Sequence, residues 1–323
     1  MTPPGEPAAP KASRHATLFV RLAVTAGIFA ALFTFLPMAD VWAAMSRTGW
    51  ARWLGVVAAF GAGHAVAAMK WRGLLRAAGT PVDAVDALRA HGAGLFANIW
   101  LPSIIGGDVV RAGWIARRHG LAIPAVAGMV DRVLDLLALV LLAAIGAAWS
   151  GEVGGGAATL LRGAAGFLAI GVVGGLAVLR WLRPEHVPAA VRSPAARALE
   201  IGDALFRQPG PALRALGLSL AVQFLFVCLN ATLAAAVGIG IPLAAWLLAW
   251  PLAKIAALAP VSLGGLGVRE AALAGLLLPF GVGGALAVAQ GLVWQSVLFG
   301  FGAVAGAAAV SGAGSGAQPD RPR

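Results

Sequence analysis

Two stretches decide the reading of this chain: LPSIIGGDVVRAGW at 101–114 and APVSLGGLGVREAA at 259–272. Both carry P-x3-GG-x2-VR: Pro102, Gly106, Gly107, Val110 and Arg111 in the first, Pro260, Gly264, Gly265, Val268 and Arg269 in the second. Every matched position is displaced by 158 residues, from 102 to 260 and from 111 to 269. Proline lacks a backbone donor and a glycine pair resists helix, so the pattern predicts a break in each helix. A new helix restarts just beyond it, at Asp108 and near Gly267. The first N–H groups of such a helix lack intrahelical partners and carry the positive end of the dipole, which favours anions such as phosphate. Arg111 and Arg269 fall in the first turn or so after each break and add a planar, permanently charged fork suited to phosphate.

Around these stretches the chain is apolar. Of 323 residues 60% are hydrophobic and only 11% charged, against roughly a quarter charged in a soluble domain. The solvent for most of the chain is therefore lipid. Unwound backbone at membrane depth is tolerated only where protein or a water-filled cavity covers it, so each copy predicts a polar, electropositive cavity. The ends differ: 1–17 and 311–323 are rich in Pro, Gly and Ser and are expected to be disordered tails around one transmembrane domain, 18–310. The longest polar stretch, 180–214, leaves no room for a separate catalytic domain of about 50–200 residues. The net charge of +11, carried by 21 Arg and 3 Lys, sits mostly in short loops beside apolar spans. It points to topology and anionic headgroups, not to nucleic acid. Cys228 stands alone, the five His do not fall at ligand spacing, and no metal site or cofactor is expected. The apolar run at 18–36 is too long for a signal-peptide core and reads as a first spanning helix.

Six runs approach the ~20 apolar residues of a spanning helix: 18–36, 53–70, 122–148, 158–180, 213–237 and 285–310. Two further apolar regions, 90–107 and 243–281, are interrupted and hold the two motif copies. Basic residues flank the N-terminal side of the first span (Lys11, Arg14, Arg21), follow the second (Lys70, Arg72, Arg76, Arg89), lie between the fourth and fifth, and end the chain. That side is cytoplasmic by the positive-inside rule. The opposite side receives 150–159, without Lys or Arg, the near-neutral 238–243, and the loop 37–52, with Arg47 and Arg52 against Asp40. On this count the interrupted regions enter from opposite faces. The expected fold is an all-α polytopic membrane protein with about six full transmembrane helices and two re-entrant or broken elements related by an internal, inverted repeat. Full crossings by 243–262 and 266–281 are the competing reading of the second element. Trp42, Trp50, Trp53, Trp149, Trp181 and Trp246 fall near span ends, where interfacial belts favour Trp.

The candidate headgroup site comprises Arg111, Arg269, Asp108, Gly106, Gly107, Gly264, Gly265, Glu270 and Asn98. Its competitor is an ordinary helix–helix connector with an Arg reaching for the interface. Asp108 and Glu270 either neutralise the Arg residues or hold them until a ligand competes. DRVLD, 131–135, places Asp131 and Asp135 on one helical face inside the third span, with Arg132 in reach of Asp135. Charges at such depth face a cavity or a partner. Asp131, Arg132 and Asp135 read either as a polar wall of a substrate path, including a pair with Arg111, or as an internal ion pair fixing helix packing. Lys254, inside an apolar run, needs a partner or a water path. Asn98, Gln223, Asn230, Gln290 and Gln295 read as interhelical hydrogen bonders, and His64 as a packing residue.

N-x2-LP-x3-GGDVVR (98–111), DR-x2-DLLAL (131–139) and P-x-S-x-GGLGVREAA (260–272) resemble the lysylphosphatidylglycerol synthase transmembrane, or flippase-like, family of bacterial and archaeal membrane proteins, over roughly 18–310. The resemblance implies a translocator of aminoacylated phospholipids or lipid-carried sugars in the cytoplasmic membrane, with paired re-entrant elements. The namesake synthases carry a soluble aminoacyl-transfer domain after the membrane part. The chain given ends at Arg323, so no aminoacyl transfer and no catalytic residue is expected of it. Three readings remain: a lipid flippase, a membrane-embedded transferase using Asp108, Asp131, Asp135 or Glu270 as acid and base, and a non-transporting partner of a lipid-modifying enzyme. The chain has no G-x4-GK[ST] motif, so ion gradients or lipid imbalance would drive any transport.

Overall fold

The computed structural model of the chain describes residues 38–100, 106–150, 209–258 and 267–311, with the single positions 196 and 200. The expected spans 18–36 and 158–180, the tails except Ser311, and Pro102, Trp181, Pro260, Gly264 and Gly265 lie outside the described residues. Everything described is helix, turn or irregular chain, with no strand among it. The described residues form nine α-helices, in order α1 (Met38–Ser46), α2 (Trp50–Ala77), α3 (Ala84–Trp100), α4 (Gly106–His119), α5 (Ala122–Ser150), α6 (Pro209–Val237), α7 (Leu243–Ala256), α8 (Val268–Leu277) and α9 (Gly284–Ser311). A 3-10 turn, Leu278–Phe280, follows α8.

Four of the helices are long and apolar enough to cross a membrane: Trp50–Ala77, Ala122–Trp149, Pro209–Val237 and Gly284–Ala309. They match four of the six expected spans. α2 overruns its expected end at 70 by seven residues, because Trp71, Leu74 and Leu75 continue its buried face. The loop expected at 37–52 contains α1, which packs against α9 and α6. At ~1.5 Å per residue, α7 (14 residues) and α8 (10 residues) reach ~21 and ~15 Å. Each is shorter than the ~30 Å hydrocarbon core. α3 and α4, with 17 and 14 residues, reach only ~25 and ~21 Å.

The described elements recur at one spacing. Adding 158 to α3, α4 and α5 gives 242–258, 264–277 and 280–308, against Leu243–Ala256, Val268–Leu277 and Gly284–Ser311. α2 moved by the same step gives 208–235, against Pro209–Val237. Packing follows the same exchange. α3 lies on α9 as α7 lies on α5, α2 on α3 as α6 on α7, and α3 on α4 as α7 on α8. Each other substantial contact among α2–α9 likewise has its exchanged counterpart, and α2 pairs with its own equivalent, α6. That pair is antiparallel: Phe60 meets Phe226 with ring centroids 4.9 Å apart, while Lys70 reaches Ser219 at 2.8 Å.

Two apolar clusters form the core. The larger draws on α2, α5, α6, α7, α8 and α9 around Phe60, Phe226, Trp246, Trp250 and Trp294. The smaller lies around Trp71, Leu74, Leu75, Ile115 and Val126. Trp246, expected at an interface, is 1% exposed within the larger cluster. Trp42, Trp50 and Trp149 are exposed, as a belt position requires. Trp53 is half-buried and donates from Nε1 to Ser296 Oγ at 2.8 Å. Close helix contact rests on glycine at Gly146, where an added Cβ would strike the α7 backbone at Leu247 and Leu248. α6 ends at Gly238, whose φ of 99° suits glycine and lets the Ile239 N–H reach back to the Ala234 carbonyl at 2.8 Å.

Candidate functional site

Charge collects between the two apolar clusters. α2 runs from Phe60 in one to Trp71 in the other, and His64 and Lys70 lie between them. α5 and α6 pass through the same gap at Asp131–Asp135 and Ser219–Gln223. His64, Asp135, Gln223 and Gln295 each lie within three residues of the middle of a spanning helix. The polar band therefore crosses these helices near their middles.

The first motif copy supplies the denser part of this charged band. α4 starts at Gly106, two residues before the expected restart at Asp108, so both glycines are buried in its first turn. Gly107 serves close approach. A Cβ on Gly107 would collide with the Asn98 side chain and the Gly94 carbonyl of α3, and the Gly107 N–H donates to Asn98 Oδ1 at 2.9 Å. One turn on, the Arg111 guanidinium stacks 4.4 Å from the centre of the Trp71 ring and donates from Nη1 to Asp131 Oδ2 at 3.1 Å. Its Nη2 lies 3.2 Å from Asp108 Oδ1, out of line for a hydrogen bond, and is buried without an acceptor. An unused, buried guanidinium N–H is a vacant donor for an anion.

Lys70 is the residue the sequence reading misplaced. It was counted with the loop cations after the second span, yet it is 3% exposed in the interior of α2. Its Nζ lies 2.5 Å from Asp135 Oδ1 and 3.0 Å from Asp131 Oδ1, and donates to Ser219 Oγ at 2.8 Å. Asp131 and Asp135 thus share a helical face, as their spacing requires. Arg132 does not pair with Asp135. It points the other way, and its Nε donates to Asp108 Oδ2 at 2.6 Å. The expected Asp131–Arg111 pair is present.

The second copy is sparser. Gly267, at φ 80°, precedes α8 at the expected restart, and its N–H donates to Glu270 Oε2 at 2.8 Å. That bond caps the helix from its third position. Glu270 is 1% exposed and accepts from the Arg269 guanidinium. Arg269 Nη2 also donates to Gln295 Oε1 at 2.8 Å, and its guanidinium carbon lies 5.7 Å from the centre of the Trp250 ring. Lys254, near the end of α7, donates to Gln223 Oε1 at 2.8 Å and sits 5.5 Å from the Phe226 ring. It lies within electrostatic reach of Asp135, Arg132 and Lys70 on one side and Arg269 on the other, which joins the two copies into one belt. Gln290 bonds Asn230 at 3.0 Å, so the amides named from sequence do link helices.

Among the described residues the belt holds five cations (Lys70, Arg111, Arg132, Lys254, Arg269) and four carboxylates (Asp108, Asp131, Asp135, Glu270). Six of the seven ion pairs among the described residues lie inside it. The surplus cation is Lys254, which donates to the neutral amide of Gln223. Sequence reasoning missed Lys70, Ser219 and the Trp71 stack. It also missed that His64 Nδ1 and His91 Nε2, 27 residues apart, meet at 3.1 Å. The continuation of apolar residues past Lys70 was the signal that placed it inside a span.

Long apolar helices around a belt of acidic and basic side chains define a polytopic integral membrane protein. Residues 18–306 match the family described as the lysylphosphatidylglycerol synthase TM region, and the chain belongs to that family of membrane proteins tied to lipid metabolism. A search of curated proteins finds none that matches it.

Proposed function

We propose that the protein translocates an anionic or modified phospholipid, or a lipid-linked glycan, across the bacterial cytoplasmic membrane, the headgroup passing through the charged belt while the acyl chains stay in lipid. The observation that carries this reading is the buried Arg111 Nη2, which makes no hydrogen bond, in the same belt as the surplus cation Lys254. A purely structural ion cluster has no need of a spare cation or a vacant donor. The recurrence of α2–α5 as α6–α9, with the central pair antiparallel, supports an inverted repeat about an axis in the membrane plane. In that arrangement two short-helix elements enter from opposite leaflets, among six full spans, with both termini in the cytoplasm. Alternating access then rocks one half against the other around a fixed site.

The test is reconstitution into liposomes carrying fluorescent phosphatidylglycerol or phosphatidylcholine, scored by leaflet-specific quenching. Wild type should move the anionic lipid, and Arg111→Gln should slow it at least tenfold. Lys254→Gln, which breaks no ion pair among the described residues, should slow it several-fold with the fold intact. Equal rates in all three remove the headgroup role. Absence of flipping in the wild type, together with intact support of a lipid-modifying enzyme, favours the non-transporting partner. Consumption of an activated donor by the purified protein favours a transferase.

A further inference from the structure

His64 on α2 and His91 on α3 share a hydrogen bond of 3.1 Å between Nδ1 and Nε2. A neutral imidazole has one donor and one acceptor nitrogen. A neutral pair that shares one proton therefore always keeps one bare ring nitrogen outside the shared bond. In one tautomer that nitrogen is His64 Nε2; in the other it is His91 Nδ1, which is buried without a hydrogen-bond partner. The pair is an open proton acceptor next to the belt. Its walls also suit a cation. The His64 ring meets Phe60 edge-on at 4.4 Å, Phe226 at 5.2 Å, and Phe301 in a stack at 5.8 Å. Aromatic faces attract an imidazolium.

Burial is the first thing that keeps charge off both rings, and the charged groups around the pair add to it. Lys254 of α7 and Arg132 and Asp135 of α5 act on His64, and Arg111 of α4, Arg132 and Lys70 of α2 act on His91. α6 presents Phe226, and α9, which has no ionisable residue, presents Phe301. Cations outnumber the one carboxylate in this set, so with the belt empty they repel a further positive charge. A phosphate held by Arg111 and Lys254 offsets that repulsion and gives a buried imidazolium a counter-charge.

We infer that His64 and His91 form a proton site that fills when an anionic phosphate headgroup enters the belt, so that lipid and proton cross together. This rests on the flippase reading and adds the coupling ion to it. One negative charge and one proton make a neutral load, which removes the work of moving a charge through the membrane potential. Linkage is reciprocal: if anion binding favours the proton, the proton tightens the anion by the same factor. The anion-bound pair holds its proton to higher pH than the empty pair. Affinity therefore rises as pH falls through the interval between those two values, by at most about tenfold per pH unit for one proton.

The experiment is proton uptake in weak buffer near pH 6.5 as phosphatidylglycerol is added to the detergent-solubilised full chain, with binding followed in parallel. Expected are an uptake approaching one proton per lipid bound, none with phosphatidylcholine, and none with His64→Gln/His91→Gln, which should still bind. Nitrogen-15 spectra of histidine-labelled wild type, read with and without the lipid, give the same answer without a variant: two ring nitrogens should move to imidazolium positions. Lipid binding without proton uptake overturns the proton site and leaves the flippase reading standing. Uptake retained by the double variant also overturns it. Equal uptake with inorganic phosphate alone overturns the lipid as the source of the anion. No binding by wild type removes the flippase reading, and this inference falls with it.

Discussion

Replacing Lys70 with methionine tests whether the charged belt is a closed electrostatic unit. Methionine keeps the length and apolar character of the lysine stem and deletes the ammonium. The cation is shared by Asp135 at 2.5 Å, Ser219 at 2.8 Å and Asp131 at 3.0 Å, and its side chain is 1% exposed. Removing one partner of a buried ion pair costs about 3–5 kcal/mol, because the other charge stays behind uncompensated. The two carboxylates here are not equally orphaned. Asp131 keeps Arg111 at 3.1 Å, whereas Asp135 keeps the Ser219 hydroxyl at 2.8 Å and, farther off, the charge of Lys254. Asp135 is 25% exposed along its side chain, so part of the loss is returned by solvation. The expected loss is therefore near the lower bound, about 3 kcal/mol, or roughly a hundredfold in the unfolding equilibrium. Reversible unfolding in mixed micelles measures it. Lys70→Met/Asp135→Asn should recover half or more of the loss, since it removes the charge left behind. The surface pair Arg118–Asp86, with Arg118 73% exposed along its side chain, supplies the control. Arg118→Ala should cost no more than about 1 kcal/mol. Lys70→Met within that same margin would show that the belt is solvated and that its ion pairs are interchangeable with surface ones.

Two more substitutions follow from local geometry. Gly146→Ala should destabilise the α5–α7 contact by about 2 kcal/mol or more, since the added methyl meets α7 backbone that cannot rotate away. Gly55→Ala on α2 meets nothing within 4 Å and should be neutral or stabilising by up to about 1 kcal/mol, measured by the same unfolding assay. Asp83 lies before α3 and outside the spanning segments. It accepts the Val85 N–H at 2.9 Å, and its carboxyl is held below its ordinary range by hydrogen bonds from the Val85 and Ala84 N–H groups. A depressed folded-state value means that the cap's contribution is present above the unfolded carboxylate value of about 3.9 and is lost as pH falls through the folded one. Thermal melts from pH 6 to 3 should therefore show a smaller acid-induced loss in Asp83→Asn than in wild type, and identical slopes would exclude the cap.

Much of this protein was legible in its sequence because lipid imposes few solutions. A chain 60% hydrophobic with long apolar runs must satisfy its backbone internally, so helices and approximate spans follow from composition alone. The duplicated P-x3-GG-x2-VR signalled the recurring elements, and the i, i+4 spacing placed Asp131 and Asp135 on one face. Partner choice was not legible, because it depends on which helices lie side by side across long stretches of chain. Lys70 looked like a loop cation until α2 proved longer than its apolar run. Arg132 looked free to pair with Asp135 until α4 brought Asp108 against it. His64 and His91 had no local signal of meeting, since 27 residues and a turn between helices separate them. Hydropathy and periodicity report what each helix buries. Only the packing of α2 against α3, α5 and α6 decides which buried charge answers which, since Coulomb energy depends on distance in space and not along the chain.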